Sequence, residues 1–442
     1  MKDSLHNITK IANSYHNLEE NQEVQITKDT VKQKICVIGY YNRKNLGDDM
    51  FKITIPMLFT KEKYQFDFFN INDGYNLSDY EIIIFGGGDL FVPFFMEKLQ
   101  KKYKGYNGRI YTIGTGFSHT QDIYRGYTYM FDHILLREKH SCDILKPIIG
   151  EEYITTIPDL GFLLNAPQCD ILSTKKEKLP LIGIFLATPL LQKDNYYSEV
   201  KECLSYLSTV GNVVCVRFNV SGHANEDDKT INDKICVEYP TILNNYTVYN
   251  TEDMLKFFSK CTFAVCSRFH SHIFSIITGC PFISISYNRK VARLLEENSL
   301  DSLIYQDITQ LSNIYNNREN ISKQLNDVYI KNNRNFESIN FDIIINNSRK
   351  RNRSSLIEKL HLINEEISDA IIALTDYHPD GKDKKPIERV HAISIAKLIC
   401  YKIMGNVDCR YLYGTIDNIM NSPWNYKEII YWIMRDINTV KN

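Results

Sequence analysis

Arg268, His270 and Lys290 are the side chains in this sequence best suited to grip an anion and to move a proton. They lie in the stretch FFSKCTFAVCSRFHSHIFSIITGCPFISISYNRK, residues 257–290. Residues 262–266 are a short apolar run with β-branched members and read as a buried strand. The Ser267-Arg268-Phe269-His270 string follows at the strand's end. Residues 270–278 carry isoleucines at helical spacing, and Gly279 is a stop signal for that helix. Residues 282–286 form a second buried strand, and Lys290 leaves its end. A βαβ unit is expected, with a cation and an imidazole at its first strand-to-helix junction. In open α/β sheets ligands bind beyond the C-terminal strand ends, and helix N-termini attract anions. Arg268, His270 and Lys290 are therefore expected to converge on one negatively charged ligand. The competing reading is a partly buried structural pair of arginine and histidine.

The bulk numbers set the frame. The chain has 442 residues, 43% hydrophobic, 24% charged and 12% aromatic. That suffices for two or three domains of ~100–200 residues each. The formal net charge of -1 argues against general nucleic-acid binding, which favours a basic balance. No run of about 20 apolar residues predicts a transmembrane helix, and the N-terminal stretch lacks an apolar signal core. Eleven cysteines include no C-x-x-C pair, and most sit in or beside apolar runs. This is the pattern of buried thiols in a reducing compartment, so a cytoplasmic location is expected. The sequons at Asn7, Asn76 and Asn245 reflect a high asparagine content. His119 and His133 are isolated and read as structural, and no His/Cys cluster has zinc spacing.

Along the chain, residues 1–33 read as a polar N-terminal arm. Residues 34–165 show one α/β pattern, with strands expected at 34–39, 64–71, 81–85, 109–114, 133–136 and 154–157. A helix is expected over 50–58. Residues 165–178 read as a linker. A second α/β pattern covers 180–340, with strands at 181–186 and 213–218 and helices at 195–207, 252–259 and 291–297. Residues 341–442 change to helical periodicity, at 354–374, 386–404 and 424–437, and read as a helical extension.

Several strand ends carry residues with chemical potential. Residues 39–49, GYYNRKNLGDD, follow the first strand, and one of Asp48 and Asp49 is expected to cap the helix behind it. Gly86, Gly87 and Gly88 end the third strand; the triplet is either a tight turn or a place where backbone approaches a ligand. No G-K-[ST] follows, so this is not a P-loop. Arg137, Glu138 and Ser141 follow the fifth strand, and Pro158-Asp159-Leu160-Gly161-Phe162 the sixth. Asp159 reads as an acid or a hinge-side cap, with the cap preferred. Arg217 ends an apolar strand and either grips the ligand or forms a salt bridge. The acidic run from Glu226 to Asp228 reads as a solvated loop.

These motifs, in this order, resemble the polysaccharide pyruvyl transferase family. The S-R-F-H string, the G-x-P and the S-Y-x-x-K match its C-terminal signature. Gly39, Tyr40, Asn45, Gly47 and Asp48 match its opening motif, with Asn42 standing where a glycine is expected. The glycine triplet, R-E-x-x-S and P-D-x-x-F complete the set over roughly residues 34–300. The resemblance implies a glycosyltransferase-B-like architecture: two Rossmann-like domains facing a cleft. It implies transfer of pyruvate from phosphoenolpyruvate to two sugar hydroxyls as a cyclic ketal, with phosphoenolpyruvate as co-substrate and no metal or other cofactor. His270 would be the general acid and Asp48 the base. Arg268, Arg137, Arg217, Lys290 and the glycines 86–88 would hold the donor. Tyr40, Asn45 and Asp49 would meet the acceptor, a sugar, oligosaccharide or glycan precursor. The helical extension could mediate self-association or partner binding. A nucleotide-sugar glycosyltransferase of the same architecture, or a non-catalytic glycan- or partner-binding descendant, are the rival functions.

Overall fold

Apolar β-branched runs such as Ile35-Cys36-Val37-Ile38 and Ile82-Ile83-Ile84 are buried along their whole length. Strands buried on both faces belong to parallel sheets covered by helices, and that is how these pair. The computed structural model describes residues 32–91, 106–116, 130–149, 151–167 and 179–347. His119, most of the polar arm, the linker core at 168–178 and the helices expected beyond residue 347 lie outside the described residues.

The first half holds β1 (Gln33–Gly39), β2 (Tyr64–Asn70), β3 (Ile82–Gly88), β4 (Arg109–Thr115), β5 (His133–Leu136) and β6 (Ile154–Thr156). They form one parallel sheet in the order β2-β1-β3-β4-β5-β6. The second half holds β7 (Leu181–Phe185), β8 (Asn212–Arg217), β9 (Leu243–Thr247), β10 (Phe263–Cys266) and β11 (Phe282–Ser284). These form a parallel sheet in the order β11-β10-β7-β8-β9. Each order reverses direction once, between β1 and β3 in the first sheet and between β7 and β10 in the second. Such switch points open a crevice at the C-terminal strand ends.

The two crevices face each other. The loop after β1 meets the loop after β8: Leu46 N–H donates to Phe218 O at 3.2 Å and Val220 N–H to Lys44 O at 3.0 Å. Asn45 and Asn219 form an antiparallel bridge between these loops. The fold is therefore α/β, with two Rossmann-like halves across a cleft, as the sequence predicts.

Alternation along β1 divides the first core. Ile35 and Val37 join the cluster that continues into the second half, whereas Cys36 and Ile38 pack on the other face with Phe85 and Phe131. The helices that position the site are α1 (Leu46–Asp49), α2 (Phe51–Thr54), α3 (Lys139–Ile149), α4 (Phe269–Thr278) and α5 (Arg289–Glu297). The single helix expected over 50–58 is instead α2 followed by a 3-10 turn at Pro56–Leu58, because Pro56 supplies no backbone N–H to extend α2.

Two later helices tie the halves together. In α6 (Arg318–Glu337), Tyr329 OH donates to Leu164 O at 3.0 Å and Asn333 Nδ2 to Phe162 O at 2.8 Å. In α7 (Phe341–Asn347), Asp342 accepts from Thr60 Oγ1 at 2.6 Å and lies 3.1 Å from Lys63 Nζ. The first residues of the sequence-defined extension thus pack on the first sheet. No helix among the described residues is long and apolar enough to cross a membrane. Cys142, Cys203, Cys215, Cys261, Cys266 and Cys280 are buried thiols.

Candidate anion-binding cleft between the two sheets

The second half presents its cations from two helix starts. Strand β10 is held beside β7 as it ends: Ser267 N–H donates to Phe185 O at 3.1 Å, and Ser267 Oγ accepts from Ala187 N–H at 2.8 Å. The next residue, Arg268, is the extended N-cap of α4, and Gly279 closes the helix at φ +65°. The Arg268 carbonyl accepts from Ser271 Oγ and lies 2.8 Å from His272 Nδ1. His272 Nε2 reaches Ser284 Oγ of β11, so the helix start is fixed to both strands. His270, in the first turn of α4, projects toward the first half. Lys290 lies in the first turn of α5, which Asn288 caps through Val291 N–H at 3.2 Å.

The first half supplies the carboxylates and one more arginine. Asn45, not Asp48 or Asp49, is the N-cap of α1; its Oδ1 accepts from Gly47 N–H and its Nδ2 donates to Asp48 Oδ2 at 2.7 Å. Asn42 occupies the expected glycine position with φ +61°, a left-handed conformation that asparagine tolerates better than most residues. The departure from the motif therefore keeps a glycine-like backbone. Asp49 Oδ1 pins this turn by accepting from Asn42 N–H at 3.0 Å and pairing with Lys52 at 3.0 Å.

Past β3, Gly87 and Gly88 adopt φ of +74° and +73°. A Cβ on Gly87 would strike the Phe51 ring at 2.1 Å, and one on Gly88 would stand 3.1 Å from Asp48 Oδ1. Gly86 is packed under Ile55, and its carbonyl accepts from Tyr41 OH at 2.6 Å. Gly88 thus borders the acidic group, while Gly86 and Gly87 serve close packing against the helices behind it.

Asp89, just beyond the triplet, joins the halves. Its Oδ1 pairs with Arg137 Nη2 and its Oδ2 with Lys290 Nζ at 2.8 Å. Arg137 also pairs with Asp159 Oδ2 at 3.3 Å and lies with its guanidinium carbon 4.2 Å from the Phe269 ring centroid. Asp159 does cap, as expected: Oδ1 accepts from Gly161 N–H at 2.9 Å. Its other oxygen does more, because it reaches Arg137 and stands 4.0 Å from His270 Nε2. That Nε2 is buried with no hydrogen-bond partner among the described residues. Burial above all, then the neighbouring charges of Arg137 and Lys290, pushes the His270 imidazole well below its ordinary range, which favours the neutral ring. Asp48 moves the opposite way. Burial pushes its carboxyl up to about 7; Asp89 and Asp49 add to the rise, against Lys290 and Arg137.

Arg268 is gripped by Asp228: Nε donates to Oδ1 at 2.9 Å and Nη2 pairs with the same oxygen. Nη2 also donates to Glu226 O at 2.6 Å. Among the described residues Nη1 makes no hydrogen bond. Asp228 in turn accepts from Phe218 and Asn219 N–H, both at 2.8 Å. The acidic run read as a solvated loop is thus in part a buried anchor, since Asp227 and Asp228 are both buried. Arg217 takes the salt-bridge reading: its Nη2 pairs with Asp227 Oδ1 at 2.6 Å, and it touches no other cluster member among the described residues. Tyr40 is half-buried beside this region, with the Arg43 guanidinium 5.3 Å from its ring centroid.

Arg137, Arg268, Lys290, His270, Asp48 and Gly88 are therefore brought together. Gly86, Gly87, Asp49 and Arg217 are engaged in local structure, and Asn45 orients Asp48. Sequence reasoning missed Asp89 and Asp228, and for Asp159 it preferred a cap to an acid. For Asp89 a signal was present, an acid directly after a glycine triplet at a strand end. His133 is structural, with Nε2 2.8 Å from Thr155 Oγ1. A cavity of about 870 Å³ lies at the opposite ends of β1, β3 and β4, beside Tyr75, Tyr80 and Arg109; none of the motif residues lines it.

The fold and the cleft define a two-domain α/β protein with cations from both halves at facing switch points. The sequence model of polysaccharide pyruvyl transferase matches residues 33–289, more than half the chain, and the chain belongs to the polysaccharide pyruvyl transferase family. A search of curated proteins gives no match. Solved structures give distant likenesses. A mutant O-GlcNAc transferase from Thermobaculum terrenum aligns with TM-score 0.42 and 11% identity, over 71% of this chain and 66% of that one. The UDP-GlcNAc 2-epimerase of Neisseria meningitidis, bound to UDP-GlcNAc, gives 0.48 and 10% over 71% and 100%. A glycosyltransferase of Rickettsia africae gives 0.47 and 11% over 72% and 100%. The chain thus spans just under two thirds of the first of these.

Proposed function

We propose that this protein transfers the pyruvyl group of phosphoenolpyruvate to two hydroxyls of a sugar, forming a cyclic ketal and releasing phosphate. The observation that carries the reading is the convergence of Arg137, Arg268 and Lys290 around one buried imidazole whose Nε2 has no partner among the described residues. Phosphoenolpyruvate carries a carboxylate and a phosphate, and planar guanidinium groups suit both. Asp89 stands between Arg137 and Lys290. An anionic group of the donor takes its place.

Donor binding also changes His270. Burial first, and then the charges of Arg137, Lys290 and Arg268, disfavour the imidazolium, and the negative charge of the donor offsets the cations. The ring then takes up the proton that it delivers to carbon 3, leaving carbon 2 electrophilic. One sugar hydroxyl attacks carbon 2, the C–O bond to phosphate breaks, and the second hydroxyl closes the ketal. The hydroxyl protons pass to Asp48 and to the departing phosphate. A carboxyl titrating near 7 is matched to that task at neutral pH. No metal or further cofactor enters this scheme. The acceptor is a sugar, oligosaccharide or glycan precursor, met from the side of Tyr40 and Asn45. The buried thiols fit a reducing compartment, and the cytoplasm is the location proposed.

The test is thermal unfolding of the wild type and of Arg268→Ala with and without millimolar phosphoenolpyruvate. A ligand that binds only the folded state raises stability by RT ln(1 + [L]/Kd), and the expected wild-type rise is lost in the variant. Phosphate release on adding acceptor sugars completes it. Stabilisation by a nucleotide sugar instead, with none by phosphoenolpyruvate, overturns the reading in favour of glycosyl transfer.

A further inference from the structure

We infer that Asp159 is the positioning residue of His270: its Oδ2, which it shares with Arg137, receives Nε2–H, sets the ring tautomer and supports the imidazolium that proton transfer needs. The inference rests on His270 as the proton donor of the proposed reaction, and it assigns that residue the partner it lacks.

The geometry is specific. Asp159 is buried, and each oxygen has its own task. Oδ1 caps the 3-10 turn Leu160–Leu163 through Gly161 N–H. Oδ2 faces Arg137 Nη1 at 3.3 Å and His270 Nε2 at 4.0 Å. The Nε2 atom is buried and has no hydrogen-bond partner among the described residues, a state that is costly unless a partner closes on it. The Asp159 carboxylate stands 4.0 Å away, and a shift of about 1 Å makes the bond.

The surroundings say why a carboxylate is needed. From the first half, Arg137 and Asp89 act on the ring with Asp159; from the second, Lys290 and Arg268 do. The Phe51 and Phe269 rings meet it edge to face at 5.5 and 5.2 Å. Cations therefore surround an imidazole that must carry a positive charge during turnover. Asp89 is engaged by Arg137 and Lys290; Asp159, which also pairs with Arg137, is the carboxylate whose oxygen stands 4.0 Å from the ring's Nε2. With Nε2–H directed at Asp159, Nδ1, beside Gly47, exchanges the proton with the substrate. Asp159 touches neither donor nor acceptor in this arrangement and acts through the ring.

The experiment is nitrogen-15 NMR of the histidines in the full chain, wild type against Asp159→Asn and Asp159→Leu, with His270→Gln for assignment. Thermal unfolding first establishes that each variant is folded. Wild-type His270 is expected as the Nε2–H tautomer. In Asp159→Leu that preference is lost, and in Asp159→Asn the ring protonates at lower pH than in the wild type, both with saturating inorganic phosphate as the anion. Turnover assays add a fall in kcat of about 100-fold in Asp159→Asn, with little change in KM and a displaced acid limb, and partial recovery in Asp159→Glu. An unchanged tautomer and titration in folded variants would reduce Asp159 to an anchor of Arg137 and a cap, and overturns the inference. The NMR readout needs no phosphoenolpyruvate, so failure of the donor assignment is seen separately, in the wild-type binding experiment.

Discussion

The imidazole of His270 occupies the space that a side chain at residue 47 would fill: a Cβ built on Gly47 lies 2.0 Å from Nδ1. Gly47 belongs to α1 of the first half and His270 to α4 of the second. The missing side chain on one half is what lets the other half bring its imidazole into the cleft.

Gly47→Ala is therefore expected to push His270 out of register with Asp159. A buried overlap of this kind costs about 1–3 kcal/mol of stability. The loss in turnover should be larger than folding explains, about 100-fold, because the proton donor is displaced. Comparing kcat with the unfolding midpoint of the same variant checks it. Near-normal kcat in a destabilised protein would contradict the interlock.

Asp48 gives a pH dependence of known sign. Its carboxyl is raised from the ordinary value to about 7, so between those values the folded protein holds a proton that the unfolded chain has released. Its contribution to stability is most favourable at acid pH and is lost as pH rises through about 7. Asp48→Asn is thus expected to unfold at higher temperature than the wild type at pH 8, with the gain shrinking at pH 5. In the proposed reaction the ionised form is the base, so kcat/KM should rise with pH through this region, and Asp48→Asn should remove that limb. Melting curves and rate profiles over the same pH range test both halves of the statement.

Much of this arrangement was legible in the sequence, and the reasons are local. Buried β-branched runs marked β1, β3, β5 and β10 to within a few residues, and resemblance to a family supplied their order. The pairing of charges was not legible. Asp228 looks like part of a solvated acidic run, yet it is fully buried because Arg268 and two backbone N–H groups close on it from other elements. Likewise Asp159 reads correctly as a cap from its own neighbours, but its second oxygen meets residues from β5's end and from α4. Sequence spacing reports periodicity within an element; it carries no distance between elements that meet across a cleft.

Arg217 and Arg268 both end strands of the second sheet, and the structure separates their expected roles. Arg217 is held by Asp227 away from the other cations, so Arg217→Met should cost about 1.5–3 kcal/mol of stability while leaving the affinity for phosphoenolpyruvate within about twofold. Arg268→Ala should cost about 3–5 kcal/mol, because Asp228 is left buried and unpaired, and should also abolish donor stabilisation. Calorimetric titration of both variants distinguishes the two. Loss of donor binding in Arg217→Met would return that residue to the donor site.

Asp89 is a cleft carboxylate that bridges the halves, between Arg137 of the first and Lys290 of the second. Removing its charge has two opposed consequences. Arg137 and Lys290 lose a competitor, so the donor anion meets two less neutralised cations and should bind more tightly. The bridge between the halves also weakens, which costs little where the lysine is partly exposed. The first effect should dominate in Asp89→Asn, with the dissociation constant for phosphoenolpyruvate falling several-fold, about 1 kcal/mol in binding. Two further changes follow from the same charge. Asp89 helps to raise the Asp48 carboxyl, so the variant's rising, acid-side limb should move to lower pH. It also opposes the cations around His270, so the ring should become harder to protonate and kcat should fall even as binding improves. Tighter donor binding with slower turnover is a combination that simple damage to the cleft would not produce. Weaker binding of phosphoenolpyruvate by a folded Asp89→Asn would show that Asp89 shapes the donor site instead of filling it in the donor's absence.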